Sequence, residues 1–165
     1  MIDNYIRQYG KRLYGLCMTL CANSSEAEDL YQDTWVKVFE NISKFDRSRE
    51  FEPWLTQICV NAYRNMLRRI NRSPVWNGFS STEEKDTLIN SIPAPKKKDY
   101  GELHEAIKKL PDKHRITIIL FYFMDMDIAT TAKALRIPAG TVKSRLSKSR
   151  TLLKEALTNG ADIPF

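Results

Sequence analysis

The stretch AKALRIPAGTVKSRLSKSR, from Ala132 to Arg150, decides the fold of the C-terminal part of this chain. Its residues predict a short helix, a tight turn at Arg136-Ile137-Pro138, and a second helix rich in Lys, Arg, Ser and Thr. A supporting helix, a turn and a helix whose outer face carries hydrogen-bond donors are typical of a helix-turn-helix. The stretch therefore predicts a module that binds DNA.

The second of these helices has two different faces. At about 100° per residue, Val142, Leu146, Leu153 and Leu157 fall on one apolar stripe that faces a core. No acidic residue occurs between Asp127 and Glu155, so nothing in this stretch repels phosphate. The candidate contacts to phosphates and base edges lie opposite or beside the stripe: Thr141, Lys143, Ser144, Arg145, Ser147, Lys148 and Arg150.

Length, composition and charge limit what kind of protein this chain can be. Its 165 residues suit one domain or two small ones, and 42% hydrophobic residues are enough to bury a core. The net charge of +6 favours a polyanionic partner. Acidic residues outnumber basic ones by eight to four between residues 26 and 52, whereas Arg64, Arg68, Arg69 and Arg72 cluster in a stretch without acids. This segregation of charge predicts two kinds of partner.

Several classes of protein are excluded by what the sequence lacks. The N-terminus shows no signal peptide, and the longest apolar run, Ile116 to Met124, is far short of the roughly 20 residues that span a bilayer. We therefore expect a cytoplasmic protein without membrane insertion. Cys17, Cys21 and Cys59 stand among apolar neighbours, which favours buried reduced thiols over a metal site. We expect no metal and no cofactor.

Helical periodicity dominates the chain, and no useful strand pattern appears, so the predicted fold class is all-α. We expect two small helical domains, at residues 1–72 and 102–157, joined by a Pro-, Gly- and Ser-rich linker at 73–101 and followed by a tail at 158–165. The predicted helices cover residues 1–22, 26–42, 54–71, 103–110 and 112–124, in addition to the helix-turn-helix. Ser25 and Glu28 form a predicted capping box, Asp112 is a predicted cap, and Ile6 and Phe123 are predicted to face inward.

Two helices of the first module carry more polar chemistry than a core needs. One face of the third helix presents Gln57, Asn61, Arg64 and Arg68, which suit a nucleic acid or, equally, plain solvation. The second helix buries Leu30 among other apolar residues. It exposes an acidic face with Asp29, Asp33, Val36, Glu40 and the adjacent Gln32, which is either solvated or a docking surface for a basic protein.

Four motifs occur in order: DLYQDTW at Asp29–Trp35, FEPWLTQICVNAYRNMLRR at Phe51–Arg69, LPDKHR at Leu110–Arg115 and IPAGTVKSRLSKSRTLLK at Ile137–Lys154. Together they closely resemble the extracytoplasmic-function (group IV) sigma factors of bacterial RNA polymerase. The resemblance covers both modules and implies a dissociable promoter-specificity subunit, not an enzyme. Its expected partners are core RNA polymerase, promoter DNA and, as in many relatives, an anti-sigma factor.

The resemblance also implies roles for residues. The family's docking helix, which binds the clamp helices of the largest catalytic subunit, matches Asp29, Leu30, Gln32 and Asp33. The last helix would read the minus-thirty-five element as duplex in the major groove. The third helix and the loop before it would melt and read the minus-ten element, with these residues in contact: Phe45, Asp46, Arg47, Ser48, Gln57, Asn61, Arg64, Asn65, Arg68 and Arg69.

The chain departs from the family pattern at three positions. Asn65 stands where the family commonly has Asp, and Thr131 puts a hydroxyl at a normally apolar position. Arg136 stands where the turn usually holds Gly, so it must adopt an unusual backbone conformation or reshape the turn. The departures bear on promoter preference.

One alternative function stays open on the residues alone. GTVKSRLSKSR also resembles the recognition helix of response regulators, which would make the chain an autonomous helix-turn-helix regulator. Such proteins need a sensory domain of alternating strands and helices, and residues 1–72 predict none. An enzyme has little support, because the sequence has no Gly-rich phosphate loop and no clustered His.

Overall fold

The computed structural model describes residues 1–72 and 101–158, which are helical and contain no strand. The all-α prediction is confirmed. These residues belong to two compact units, and each is described by itself. The predicted linker and tail lie outside the described residues, apart from Gly101 and Thr158.

In the described part of the first unit, residues 1–72, three helices pack against one another. They are α1 (Ile2–Leu20), α2 (Ser24–Asn41) and α3 (Phe51–Arg72), with a 3-10 turn at Ile42–Lys44 after α2. Leu16, Leu30, Val38 and Cys59 are fully enclosed between the helices, with other apolar side chains around them. Burying a side chain of this size stabilises a fold by about 1.5–3 kcal/mol, so this apolar interior holds the three helices together.

The starts of α2 and α3 differ from prediction. The N-cap of α2 is Asn23, whose side chain accepts a hydrogen bond from the backbone N–H of Glu26 at 2.8 Å, and the predicted capping box at Ser25 is wrong. The third helix begins at Phe51, not Trp54. Pro53 fits inside its first turn because the backbone N–H groups there have no helical partner to lose.

Ile6 is exposed, which contradicts its predicted inward position. The buried positions of α1 begin at Gly10, so Ile6 lies one turn before the stretch that the other helices cover. Gly10 itself allows a close approach, because a Cβ there would come within 2.9 Å of the Tyr31 hydroxyl.

Two thiols meet in the core of the first unit. The Sγ atoms of Cys17 and Cys59 lie 3.9 Å apart, and both side chains are fully buried. Their mutual hydrogen bond and the loss of water raise the pKa of Cys17 far above its ordinary value, so the thiol stays neutral. The prediction of buried reduced thiols is confirmed for this pair. Cys21, at the end of α1, is half-buried.

In the second unit a long C-terminal helix packs against three shorter ones. The helices are α4 (Gly101–Lys108), α5 (Asp112–Ile118), α6 (Ile128–Leu135) and α7 (Ala139–Leu157). Val142, Leu146, Leu153 and Leu157 lie in the core, as their spacing predicts. The predicted start of α4 is two residues late, and Pro111 rather than Asp112 is the N-cap of α5.

A π-helical turn, Ile119–Phe123, continues α5. The backbone N–H of Met124 bonds to the carbonyl of Ile119, five residues earlier, at 3.1 Å. This wider turn rotates the side chains that follow it relative to an α-helix. Phe123 is therefore exposed, and its predicted inward position is wrong, whereas Ile119 and Leu120 remain buried.

The turn of the helix-turn-helix is made by Arg136 in the left-handed conformation, with φ 53° and ψ 47°. Its backbone N–H closes α6 on the carbonyls of Ala132 and Lys133. The predicted unusual conformation at this position is confirmed. Thr131, the other departure in this region, is fully buried, and its hydroxyl lies 3.4 Å from the carbonyl of Met126, which supplies an acceptor.

We expect Arg136→Gly to stabilise the second unit by about 0.5–1 kcal/mol. Glycine removes the steric cost of the left-handed conformation, although part of the gain is lost because glycine also frees the unfolded chain. Urea denaturation followed by circular dichroism measures the change. Arg136→Ala is the control, since it removes the same charge while keeping a Cβ. An Ala variant more stable than the Gly variant would show that the backbone at residue 136 carries no strain, because only the entropic cost of glycine would then remain.

Candidate nucleic-acid interface

The outer face of α7 is polar and basic. Lys143, Ser144, Ser147 and Lys148 are exposed, and Thr141, Arg145 and Arg150 are half-buried. The structure therefore brings the predicted duplex contacts together on one helix, opposite the apolar stripe that anchors it.

Asp127 is the N-cap of α6, where its carboxylate accepts a hydrogen bond from the backbone N–H of Thr130 at 2.7 Å. Hydrogen bonds from Thr130 hold the pKa of Asp127 below its usual range.

The inner side of the same helix carries polar groups. Ser149 is fully buried and donates to the carbonyl oxygen of Arg145 at 2.6 Å. His114 of α5 is buried against the same carbonyl. Burial lowers the pKa of His114, and the cations Lys113, Arg145 and Lys148 lower it further. His114 is therefore neutral at pH 7 and adds no charge of its own to the basic face.

The polar face of α3 is exposed along much of its length. Asn61, Asn65, Arg68 and Arg69 are exposed, and Gln57 and Arg64 are half-buried. Arg68 donates to the side-chain oxygen of Asn65 at 3.2 Å. Because Asn65 is a neutral amide where the family commonly has a carboxylate, this contact leaves the positive charge of Arg68 uncompensated. The face therefore combines amide groups with net positive charge, a surface that suits single-stranded phosphates.

The loop before α3 is held by its first two residues. Phe45 packs on Trp54 and Phe51, with ring centroids 4.7 and 5.5 Å apart. The carboxylate of Asp46 accepts from the backbone and hydroxyl of Ser48 at 3.0 and 2.7 Å. These bonds lower the pKa of Asp46, which therefore stays ionised. Phe45 and Asp46 shape the loop, and Arg47 and Ser48 lie exposed at its tip.

The exposed face of α2 holds the predicted docking residues except one. Asp29 and Gln32 are exposed, and Asp33 forms an ion pair with Lys37 at 2.7 Å. Leu30 is only 1% exposed, so it anchors the helix in the core and has no surface to offer a partner. Two apolar side chains stand in this face instead, Val36 at 54% and Phe39 at 69% exposure. We call the set Asp29, Gln32, Asp33, Val36, Phe39 and Glu40 the α2 face, in which Asp33 is half-buried and the others are exposed.

None of the helices between residues 1 and 72 or between 101 and 158 combines the length and the apolar composition of a membrane-spanning segment. Residues 1–72 and 101–158 also contain no cluster of three or more His, Cys, Asp or Glu side chains suited to a metal ion.

Comparison with known proteins assigns the family. The model for Sigma-70 region 2 matches residues 5–73, and the model for Sigma-70, region 4 matches residues 100–153. The chain belongs to the sigma-70 family. The region 2 match covers the described helices α1 to α3, and the region 4 match includes the helix-turn-helix.

Two relatives of this sigma-70 chain are sigma factors that it matches over most of their length. The ECF RNA polymerase sigma factor SigW of Bacillus subtilis is 29% identical in an alignment of 158 residues that covers 90% of this chain and 84% of SigW. The RNA polymerase sigma-H factor of Pseudomonas aeruginosa is 26% identical in an alignment of 164 residues that covers 94% of this chain and 85% of that protein. These relatives lend no support to the alternative of an autonomous regulator.

Two solved structures share the fold. RpoE of Bartonella quintana, solved with the anti-sigma factor NepR, matches with a TM-score of 0.72 and 23% identity over 97% of this chain and 98% of RpoE. CnrH, solved with the cytosolic domain of CnrY, matches with a TM-score of 0.70 and 19% identity over 96% of this chain and 88% of CnrH.

Sequence reasoning missed several side chains around the sites of this sigma-70 chain. Ser149 could have been found, because about 100° per residue places it roughly 20° from Val142, at the edge of the apolar stripe of α7. Tyr5 and Tyr9, which stack on Phe51 with centroids 4.0 and 5.1 Å away, come from a different helix and left no local signal. Tyr122 also left no local signal, because its hydroxyl contacts Arg150, which lies 28 residues later in the sequence.

Proposed function

We propose that this chain is a sigma factor of the extracytoplasmic-function group, which binds core RNA polymerase and directs promoter recognition and DNA melting. The observation that carries the proposal is the occurrence of both sigma-70 regions, in order, on one chain. The exposed polar faces of α3 and α7 support it, since each lies in a different one of these regions.

The α7 face suits duplex DNA. An α-helix fits the major groove, where Ser and Arg side chains reach base edges and Lys side chains reach phosphates. We assign Ser144 and Arg145 to base edges of the minus-thirty-five element, and Lys143, Lys148 and Arg150 to its phosphates. Thr141 and Ser147 border this set on the same helix.

The α3 face suits melted DNA. Guanidinium groups hold phosphates of a single strand, and amides pair with bases that are no longer paired with each other. We assign Gln57, Asn61 and Arg64 to the minus-ten element, with Asn65, Arg68 and Arg69 along the same strand. Arg47 and Ser48, at the tip of the loop before α3, are placed to contact an unstacked base, and Phe45 and Asp46 hold that loop in shape.

The α2 face suits a protein. Exposed apolar side chains ringed by acids favour a partner that combines apolar and basic residues. We assign this face to the clamp helices of core polymerase. An anti-sigma factor is a further proposed partner, and the RpoE relative, solved with the anti-sigma factor NepR, supports it.

Run-off transcription with purified core polymerase tests the proposal. We expect core polymerase to start transcription at defined sites only when the chain is added. Gel shifts with duplex DNA give the second measurement, because a sigma factor binds promoters well only together with core polymerase. Strong binding of the chain alone, with no start sites gained in the presence of core polymerase, would establish the autonomous regulator instead.

We expect Lys148→Ala to weaken binding to all promoters alike and to reduce the slope of log affinity against log salt by about 0.9. The reason is that a lysine bound to one phosphate releases about one counterion on binding. Affinity of the complex with core polymerase, measured over a series of salt concentrations, gives the slope. Lys108→Ala is the matched control, because it removes an exposed positive charge from α4 of the same unit. A slope that falls equally in both variants would contradict a phosphate contact at Lys148.

A further inference from the structure

Arg150 is held in place by a tyrosine from another element. Its Nε donates a hydrogen bond to the hydroxyl oxygen of Tyr122 at 2.8 Å. The guanidinium carbon also lies 5.7 Å from the centre of the Tyr122 ring, close enough for a cation–π attraction. In the part of the chain that the structure describes, Arg150 makes no ion pair with a carboxylate. The tyrosine therefore orients this cation without neutralising it.

The contact leaves the guanidinium group ready for an anion. Arginine has five N–H donors, and the bond to Tyr122 uses the one on Nε. The terminal nitrogens Nη1 and Nη2 remain, and this pair matches the geometry of two phosphate oxygens. An arginine that is already ordered loses less side-chain freedom when it binds.

Tyr122 reaches Arg150 from the π-helical turn. The turn is continued by a bond from the N–H of Met126 to the carbonyl of Leu120 at 3.1 Å. Ile119 and Leu120 are buried inside it, whereas Tyr122 is 42% exposed. The turn thus keeps the core side chains inside and presents the tyrosine beside α7. A π-helical turn interrupts the regular hydrogen bonding of an α-helix, and such turns are common at functional sites.

A role in stability alone does not account for this pair. The Tyr122 ring is too exposed to be an important part of the core, and its hydroxyl is not a buried group that requires a partner. A hydrogen bond at such a position adds little to folding because water competes for both groups. The pair can, by contrast, hold the guanidinium group of Arg150 in a fixed orientation on the α7 face.

We propose that Tyr122 is a positioning residue, which holds Arg150 so that its terminal nitrogens bind a phosphate of duplex DNA. The proposal rests on the proposed function of α7 as the helix that binds the minus-thirty-five duplex. It adds the π-helical turn before α6 to the DNA-binding machinery as the element that places Tyr122. Neither the turn nor the tyrosine touches a base, so the effect is independent of sequence.

A double-mutant cycle on the full chain tests this assignment. Fluorescence anisotropy with a short labelled duplex of random sequence, over a series of low salt concentrations, gives affinity and salt slope. We expect Tyr122→Phe to weaken binding roughly two- to tenfold with an unchanged slope, because the phosphate contact and the aromatic ring remain but the hydrogen bond that orients Arg150 is lost. Arg150→Ala weakens binding more and lowers the slope by about 0.9. Tyr122→Phe has no further effect in the Arg150→Ala background.

An NMR measurement separates positioning from folding. The Nε–H signal of Arg150 exchanges slowly with water in the native chain and quickly in Tyr122→Phe, while the melting temperature of the two proteins is the same. If Tyr122→Phe weakens binding equally with and without Arg150, or lowers the melting temperature in step with affinity, Tyr122 acts through the fold and the proposal is wrong.

Lys148→Ala distinguishes failure of this proposal from failure of the proposed function. If Arg150→Ala changes neither affinity nor slope while Lys148→Ala lowers both, α7 binds DNA but Arg150 contacts no phosphate. If neither variant changes them, α7 does not bind duplex DNA, and the assignment of α7 to the minus-thirty-five duplex falls together with the role of Tyr122, whereas run-off transcription still tests the sigma-factor function itself.

Discussion

Replacing Phe39 with Ala is expected to weaken binding to core RNA polymerase by at least about 30-fold. Phe39 and Val36 are large apolar side chains that stand 69% and 54% exposed in the α2 face. Aromatic side chains that become buried at the centre of an interface each contribute about 2 kcal/mol or more when truncated. Since 1.4 kcal/mol is a factor of ten, this loss corresponds to about 30-fold.

We expect the acids around Phe39 to contribute to the same proposed interface. Asp33 forms an ion pair with Lys37 within α2, and such a partly exposed pair adds little to stability. Asp33→Arg therefore leaves the helix folded while it places like charges at residues 33 and 37 and reverses the charge that a basic partner meets. We expect this variant also to bind core polymerase weakly, with a reduced association rate at low salt.

The affinities are measured with the chain coupled to a surface and core polymerase in solution. Circular dichroism confirms that each variant keeps its helices. Met18→Ala is the matched control, because Met18 is also a large exposed apolar side chain but lies on α1. Affinities for Phe39→Ala and Asp33→Arg that equal those of the native chain and of Met18→Ala would rule out the α2 face as the docking surface.

Replacing Asn61 with Ala is expected to leave polymerase recruitment intact and to reduce strand opening roughly tenfold. Asn61 lies exposed in the middle of the α3 face, one turn before Asn65. A good bidentate hydrogen-bonded pair between an amide side chain and a base edge is worth about 1–3 kcal/mol. Because this contact exists only after the strands separate, its loss raises the free energy of the open complex and not that of the closed one.

Permanganate reactivity near the start site measures opening, and a gel shift measures recruitment. A template with a pre-melted bubble is expected to restore transcription by Asn61→Ala, because the template supplies the opening that the variant cannot. Arg7→Ala, an exposed position on α1, is the control and should behave as the native chain. If Asn61→Ala still recruits polymerase but the bubble template does not restore transcription, the α3 face has a role other than opening DNA.

The helices could be predicted because amphipathic periodicity is a local property. Val142, Leu146, Leu153 and Leu157 repeat at helical spacing, and the structure buries all of them. Boundaries were less accurate. Asn23 and Ser25 are both good N-caps, and the choice between them depends on where the chain enters α2 after α1. One local conformation was predictable, because a turn that usually holds Gly carries Arg136.

The candidate site was only partly predictable. Helical spacing placed the polar residues of α3 and α7 on common faces, and their exposure agrees with that placement. Their roles in binding stay predictions. Spacing also left Leu30 inside the helix bundle, so its place in the docking motif reflects the family pattern and not an exposed side chain.

Local sequence patterns were enough to predict the all-α class, the order of two helical modules and the faces that carry charge, because each depends on residues a few positions apart. Which side chains from different helices contact one another became known only from the packing of the helices. The π-helical turn exposes Phe123 and brings Tyr122 into contact with Arg150. In the first unit, Phe51 packs against Tyr5, Tyr9 and Phe45. Such contacts join residues far apart in the chain, and their geometry follows from how the helices pack rather than from any local pattern.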